Sequence, residues 1–458
     1  MTDLYRRLTL PLAALLLLPA SAVWAQAPLF FTLANGLKGC VMEDHSTDLT
    51  SVHVVLHVTA DCEPDDKAGL RALVQHTMRF GWELGMKSDP NLSFLADMDD
   101  ANGGLSALAD WEYVDFSYAG TAETLPQGLA FLAKNAFAPA LTQAAFEGAI
   151  KVLSSVLQAR SQPGESTHAL FRLALLGSSP RAYPLGTPET LAHISLADLT
   201  AFHHRFYVPN LAAVCVAGPT PAAEVKSLIE KSFGPLAPGK AELPGPPIRE
   251  GSDSRVAANT GLVIPGDTDI EVASLVVGVP APAYDDADFP VAYVIQAVLG
   301  PDRKAPGRID RADALWTGLG LGFTAADAHK RAFIESLPPQ ISARNYLALQ
   351  AYVAPNRAEP VREELLGYFE ALATNPPSAA ELARAKEYVR TRNALAYEGL
   401  GNRCLMMARA VAIGLPGPLV TEFDSRLGNV TAQDVQRVAR RFFARHAVGV
   451  EYPEVTSQ

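Results

Sequence analysis

The chain has 458 residues and a formal net charge of −11 at pH 7. This acidic balance disfavours nucleic acids and anionic membrane surfaces as partners, because both are bound through basic patches. With 48% hydrophobic and 19% charged residues, the composition is that of a folded globular protein. The length predicts two domains.

Residues 1–25 have the features of an export signal. Arg6 and Arg7 give the positive start, residues 8–18 form an apolar run, and Ala25 ends a small-residue cleavage site. We therefore expect a cleaved signal peptide and an exported, periplasmic chain. Pro11 interrupts the apolar run, which is shorter than the about 20 residues of a membrane-spanning helix, so we expect no membrane span.

The remaining chain repeats one order of predicted elements, which indicates an internal duplication. The first half has strands at 36–41 and 52–59, a helix at 70–79, a strand at 113–118, a helix at 196–207 and a strand at 212–217. The second half repeats these at 261–265, 272–279, 291–299, 346–353, 432–443 and 448–452. This alternation predicts an α/β fold, an α+β sandwich with helices packed on one face of each sheet.

A proline-rich segment separates the two halves. Five prolines between residues 235 and 247 cannot lie in a helix or a central strand. They predict an N-terminal domain at 26–234, a linker at 235–254 and a C-terminal domain at 255–458.

Four cysteines, Cys40, Cys62, Cys215 and Cys404, have a spacing that matches no metal-ribbon pattern. Cys40 and Cys62 lie on or beside neighbouring predicted strands, and in an oxidising compartment they either pair or stay free, because sequence does not fix their Cα distance. Cys215 lies inside an apolar strand and is expected to be a buried hydrophobic residue.

Residues 69–81 resemble the inverted zinc motif H-x-x-E-H, in which two histidines bind zinc and the glutamate activates the attacking water. Here Ala72 occupies the first histidine position, Gln75 the glutamate position and His76 the second histidine position. A methyl group offers no lone pair to a metal, and a neutral amide takes no proton from water. The motif is therefore predicted to have lost its chemistry.

Three further stretches, 31–37, 182–189 and 194–210, are similar to the opening "L-x-N-G-L" strand, the "P-y-G" turn and the "F-h-x-x-y-y-x-P-n" helix of the pitrilysin/insulinase family of zinc peptidases. Together with the degenerate zinc motif at residues 69–81, here called the zinc frame, the resemblance covers essentially the whole chain after the signal. It implies two homologous pitrilysin-like domains arranged as a clam shell, with a peptide strand added to a sheet edge in the chamber between them.

The resemblance also assigns a third zinc ligand, a glutamate on the helix predicted at 146–160, to the position of Ser155. A lone imidazole cannot hold zinc, since such sites have three or four protein ligands. His76 is therefore expected to hydrogen-bond inside the cleft, to Gln75 or a serine of the facing helix. Recruitment of Glu147 or Asp110 as a displaced ligand is the alternative.

Other family positions have changed as well. At residues 103–109 the glycines and Ala107 of the substrate-edge strand remain, but the polar residues of its "N-A-x-T" pattern are replaced. In the stretch 307–323, Arg308 matches the family's first arginine, whereas Ala314 and Leu321 occupy the positions of the arginine and tyrosine that grip a substrate backbone. The adjacent His203 and His204 are expected at the surface.

These observations predict a catalytically inactive peptidase homologue without catalytic residues, cofactor or resident metal. We expect it to be the non-catalytic half of a periplasmic heterodimer with a zinc-bearing paralogue, binding peptide segments in the inter-domain chamber. Two alternatives remain open: an active zinc metalloendopeptidase that uses displaced ligands, and a purely structural scaffold.

Overall fold

The computed structural model describes residues 27–88, 105–109, 111–159, 165–177, 179–244, 260–265, 273–300, 308, 334–337, 344–353, 355, 358–415 and 422–452. The predicted signal peptide, Asp110 and most of the stretch 307–323, with Ala314 and Leu321, lie outside these residues. Among the helices described, none combines the length and the apolar character needed to cross a membrane.

Strands and helices alternate along the chain. The strands are β1 (Leu29–Thr32), β2 (Lys38–Glu43), β3 (Leu49–Leu56), β4 (Leu105–Ala109), β5 (Val114–Thr121), β6 (Ala212–Gly218), β7 (Thr260–Pro265), β8 (Ala273–Pro280), β9 (Ile334–Leu337), β10 (Tyr346–Val353) and β11 (Ala447–Tyr452). The helices are α1 (Leu70–Ser88), α2 (Leu125–Phe137), α3 (Gln143–Ala159), α4 (Glu165–Leu176), α5 (Ser179–Ala182), α6 (Pro188–Ala192), α7 (Leu196–Phe206), α8 (Ala222–Phe233), α9 (Phe289–Leu299), α10 (Ala358–Thr374), α11 (Ala379–Ala396), α12 (Leu400–Ala412), α13 (Phe423–Asn429) and α14 (Ala432–Phe442).

The two sheets share one strand order, except that the first has an additional edge strand, β1. The first runs β1-β2-β6-β3-β5-β4 and the second β7-β11-β8-β10-β9. In each, one parallel pair, β2/β6 or β7/β11, is followed by antiparallel pairs only. The repeated order of elements predicted from the sequence is therefore present, and β4 and β9 are equivalent edge strands.

Helices cover both faces of the first sheet, so the prediction of one covered face is wrong. On one face, helices α1, α2, α7 and α8 pack against residues such as Val214 and Val216. On the other, Ala213, Cys215 and Ala217 contact helix α12. The reason is that β6 is apolar at every position, and its smaller side chains on the second face let the helix approach closely.

The two halves exchange helices: each contributes one helix that packs on the sheet of the other. α12, from the second half, lies on the first sheet, where Lys38 Nζ donates to Ala412 O at 3.0 Å and Arg403 pairs with Asp44. α4, from before the linker, lies on the second sheet, where Thr167 Oγ1 donates to Glu451 at 3.1 Å. Each half thus completes the core of the other.

A buried group of charges joins the halves beside α5. Arg181 donates to Asp61 at 2.7 Å and to Glu112 at 2.5 Å, and its side chain is 2% exposed. Arg344 of the second half lies 3.4 Å from the same Asp61 and donates to Leu176 O. Because a buried charge that loses its partner is costly, this group fixes the position of the turn before β10 against the first half.

Candidate functional site

The degenerate zinc frame lies on α1, whose start is fixed by a buried ion pair. Glu63 accepts from Gly69 N at 2.8 Å and from Arg71 Nε at 2.5 Å. Gly69 has φ +94°, and a Cβ there would come within 2.7 Å of Gly186 N, so only glycine fits. Leu73 and Met78 bury the apolar face of α1 in the core, which sets the direction of the frame residues.

The three frame residues of α1 are differently placed. Ala72 is packed in the core, and Gln75 is 2% exposed, with neither amide atom hydrogen-bonded to a residue that the structure describes. His76 is half-buried, and burial, with a smaller contribution from Arg79, lowers its pKa. The expected hydrogen bond between His76 and Gln75 is therefore not formed.

The helix that was predicted to carry the third ligand, α3, does pack along α1. Ser155 is exposed, and its hydroxyl donates to Lys151 O at 2.9 Å within the same helix instead of to His76. Glu147, a candidate displaced ligand, is exposed and accepts from Gln143 Nε2 at 2.9 Å.

The side chains of this site do not fit a zinc ion. The first ligand position is a methyl group, the general-base position is an uncharged amide, and the third ligand position is a hydroxyl satisfied by its own helix. Within the described part of the chain, no cluster of three or more His, Cys, Asp or Glu side chains could hold a metal ion.

An edge of the first sheet, which no other described strand pairs with, lies beside the frame. β4 is the outermost strand of the first sheet, it pairs with β5 along one side, and it contacts α1. An edge strand presents backbone N–H and C=O groups that an extended peptide can pair with. The fold thus places a sheet edge next to a frame in which His76 remains but Ala72 and Gln75 occupy the positions of a zinc ligand and the general base.

Comparisons with known proteins agree with this geometry. A family model described as the peptidase M16 inactive domain matches residues 193–389. Human insulin-degrading enzyme is 24% identical over 223 residues, which are 46% of this chain and 21% of that enzyme, so the match spans about a fifth of that relative's length. The chain is therefore similar to the pitrilysin/insulinase (M16) family of peptidases, and these matches support a degenerate member of that family.

Solved structures share the M16 fold over nearly the whole chain. A protease from Helicobacter pylori superposes with a TM-score of 0.76 and 19% identity, covering 93% of this chain and 99% of that one. A peptidase M16 inactive domain from Pseudomonas fluorescens gives a TM-score of 0.74 and 14% identity over 94% and 99%. At such identities the likeness shows the fold alone.

Two other predicted positions of the M16 pattern have structural roles. His203 is buried rather than at the surface: its Nε2 donates to Ala136 O at 3.0 Å, and its ring stacks on Tyr207. Only His204 is exposed, because neighbouring residues of α7 point to different sides. Arg308 donates to Glu381 at 2.9 Å and to Asn375 O, which ties it to the start of α11.

The cysteines are arranged differently from the pairing considered for Cys40 and Cys62. All four are free, and these two lie in different hydrophobic clusters, Cys40 under α12 and Cys62 on the side of α1. Cys215 is fully buried, as predicted. Cys404 of α12 is buried beside it, a proximity between distant residues that the sequence did not signal.

Proposed function

We propose that this M16 chain is a catalytically inactive peptidase homologue that binds peptide segments and serves as the non-catalytic subunit beside a zinc-bearing paralogue. The proposal includes export to the periplasm through the N-terminal signal. It also includes a clam-shell arrangement in which the two halves face a shared peptide chamber.

The observation that carries the proposal is the state of α1. The helix lies between α3 and the sheet edge β4. However, Ala72 and Ser155 occupy two zinc-ligand positions, and Gln75 occupies the position of the general base. Hydrolysis by a metallopeptidase requires a metal-bound water and a base to deprotonate it. The peptide-binding edge requires only backbone groups, and these are present in β4.

The first test is the metal content of signal-free protein purified without a metal-affinity tag. We expect essentially no bound zinc, and peptide hydrolysis only after a zinc-bearing M16 paralogue is added. One zinc per chain, with hydrolysis by the chain alone, would instead establish the enzyme with displaced ligands. Stable assembly with partners that carry no intact H-x-x-E-H motif would favour the structural scaffold.

The substitution His76→Ala tests the lost site directly. Because His76 lacks the companion ligands, we expect the peptidase activity of the assembled complex to stay within about twofold of the parent value. The matched control is alanine at the second histidine of the H-x-x-E-H motif in the paralogue, which should abolish activity. If His76→Ala removed activity while the chain stayed folded, the site would be working and the proposal would be wrong.

A further inference from the structure

Three cysteine thiols meet where α12 crosses the first sheet. Cys40 and Cys215 are register partners on the parallel strands β2 and β6, and Cys404 projects from α12. The Cys404 Sγ lies 3.3 Å from Cys215 O and 3.4 Å from Ser51 O. Cys215 thus lies beside both Cys40, its register partner, and Cys404, and all three belong to one buried cluster, here called the thiol cluster.

A buried histidine–carboxylate pair stands beside Cys404. His53 Nδ1 lies 3.0 Å from each oxygen of Asp115. Burial opposes protonation, but the Asp115 carboxylate outweighs it and raises the pKa of His53. Burial raises the pKa of the Cys404 thiol, but its interaction with Cys215 and the charge of His53 lower the pKa overall. The neighbours of Cys404 on the first sheet therefore favour its thiolate form, which is the form that reacts in thiol–disulfide exchange.

We propose that Cys404 and Cys215 form a reversible disulfide that ties α12 of the second half to the first sheet. The oxidant is a low-molecular-weight disulfide. The Cys404 thiolate attacks one of its sulfur atoms and displaces the first thiolate, leaving a mixed disulfide on Cys404. Cys215, after losing its proton to the displaced thiolate, attacks the Cys404 sulfur and releases the second thiolate. Two protein thiols are oxidised and one external disulfide is reduced to two thiols.

Burial decides when this exchange takes place. All three thiols are 0% exposed, so an oxidant reaches Cys404 only when α12 lifts from the sheet. Formation of the disulfide therefore holds α12 on the sheet once it has closed again. The bond joins residues that are 189 positions apart in sequence. Disulfides that close long loops stabilise most, because they restrict the unfolded chain most.

The experiment uses the full signal-free chain and oxidised glutathione. After incubation, free thiols are blocked with N-ethylmaleimide, and the protein is digested without reduction for mass spectrometry. We expect a cross-linked peptide pair that contains Cys215 and Cys404, and a rise in Tm of about 5–10 °C. Mixed disulfides alone, unmodified thiols, or a Cys40–Cys215 link would overturn the proposal.

Three variants distinguish formation of the Cys404–Cys215 disulfide from general oxidation of the protein. Cys404→Ala should show neither the cross-link nor the Tm rise, whereas Cys62→Ala should show both, because Cys62 lies in the other cluster with its pKa raised by burial to about 11. His53→Gln tests positioning and should slow cross-linking while leaving the final linkage the same. If Cys404→Ala fails to fold, the peptide map of the parent chain decides alone.

Discussion

Gln75 occupies the general-base position of the degenerate zinc frame. The amide is buried in α1, and neither polar atom has a hydrogen-bond partner within the described part of the chain. Such a group loses its hydration without gaining a partner, which costs about 1–3 kcal/mol. Ala72, one turn earlier, is packed as an ordinary core residue. The frame has therefore become part of the core at one position and remains an energetic defect at another.

Replacing that amide should stabilise the protein. Gln75→Met keeps the shape of the side chain and removes the unsatisfied groups, so we expect the free energy of unfolding to rise by about 1–3 kcal/mol. Chemical denaturation measures the change. The matched control is Gln350→Met, which removes a partner of His168 at 2.9 Å and should destabilise. Destabilisation by both substitutions would show that Gln75 has a partner in solution.

His203 should make stability depend on pH. Burial lowers the pKa of His203 to about 4, whereas an unfolded histidine titrates near pH 6.5. The unfolded chain therefore takes up a proton first, and stability is lost as the pH falls from about 6.5 to about 4, by up to roughly 3 kcal/mol. Denaturation at pH 7.5 and 4.5 should show a smaller loss for His203→Gln than for the parent. An equal loss would contradict this assignment.

At the scale of elements, α4 approaches the second sheet through glycines. A Cβ at Gly449 of β11 would lie 2.4 Å from Thr167 O, and one at Gly278 of β8 would lie 2.5 Å from a Phe171 ring atom. Real Cβ atoms do not come so close, so any side chain at these points would push the helix away. The two glycines therefore set how deeply the exchanged helix is buried.

The substitution Gly449→Ala should disrupt this contact. Because the obstructing atom belongs to the backbone of α4, we expect a loss of about 1–3 kcal/mol in the free energy of unfolding. Gly367→Ala is the control: it lies inside α10 with nothing within 4 Å of its Cβ position, and it should stabilise by about 0.5–1 kcal/mol. A neutral Gly449→Ala would mean that α4 is not held at this distance.

At the scale of the whole molecule, the exchange of helices makes the halves depend on each other. The first sheet lacks α12 without the second half, and the second sheet lacks α4 without the first. The buried charges of Arg181, Asp61 and Arg344 also span both halves. Unfolding one half would expose apolar surface and unpaired charges in the other, so the two should unfold together.

Residues 26–244, made alone, should therefore lack a cooperative transition. We expect them to bind a hydrophobic dye and to melt gradually when followed by circular dichroism, because the α12 face of the sheet is uncovered. Adding residues 255–458 as a separate chain should restore a sharp transition. A sharp transition in the first fragment by itself would refute the dependence of the halves.

Local patterns predicted the elements well but not their partners. The strand at 346–353 has the observed bounds, and the helix predicted at 70–79 begins at Leu70 but continues to Ser88. Periodicity records which side of a helix is apolar, whereas the sheet that it covers depends on the path of the whole chain. For this reason the helix exchange was missed, and with it the meeting of Cys404 with Cys215 and His53.

For single side chains, too, the sequence predicted the chemistry of the residue but not its surroundings in the fold. From their chemistry alone, the sequence identified Ala72 and Ser155 as unsuited to the two ligand positions and Gln75 as unable to act as the general base. It could not show that Gln75 is unsatisfied or that His203 is buried, because hydrogen bonding depends on groups brought in from other elements, such as Ala136 O.

The exchange of helices also means that a covering helix of the first sheet is synthesised long after the sheet's own strands. β6, the last strand of the first sheet, ends at Gly218, whereas the helix that covers its second face begins at Leu400. At about 5–20 residues per second, a ribosome needs roughly 10–35 s to make the segment between them. During that interval an apolar surface of Ala213, Cys215 and Ala217 stays uncovered on the nascent chain. The first sheet therefore cannot receive its second covering layer until about nine-tenths of the chain has been made.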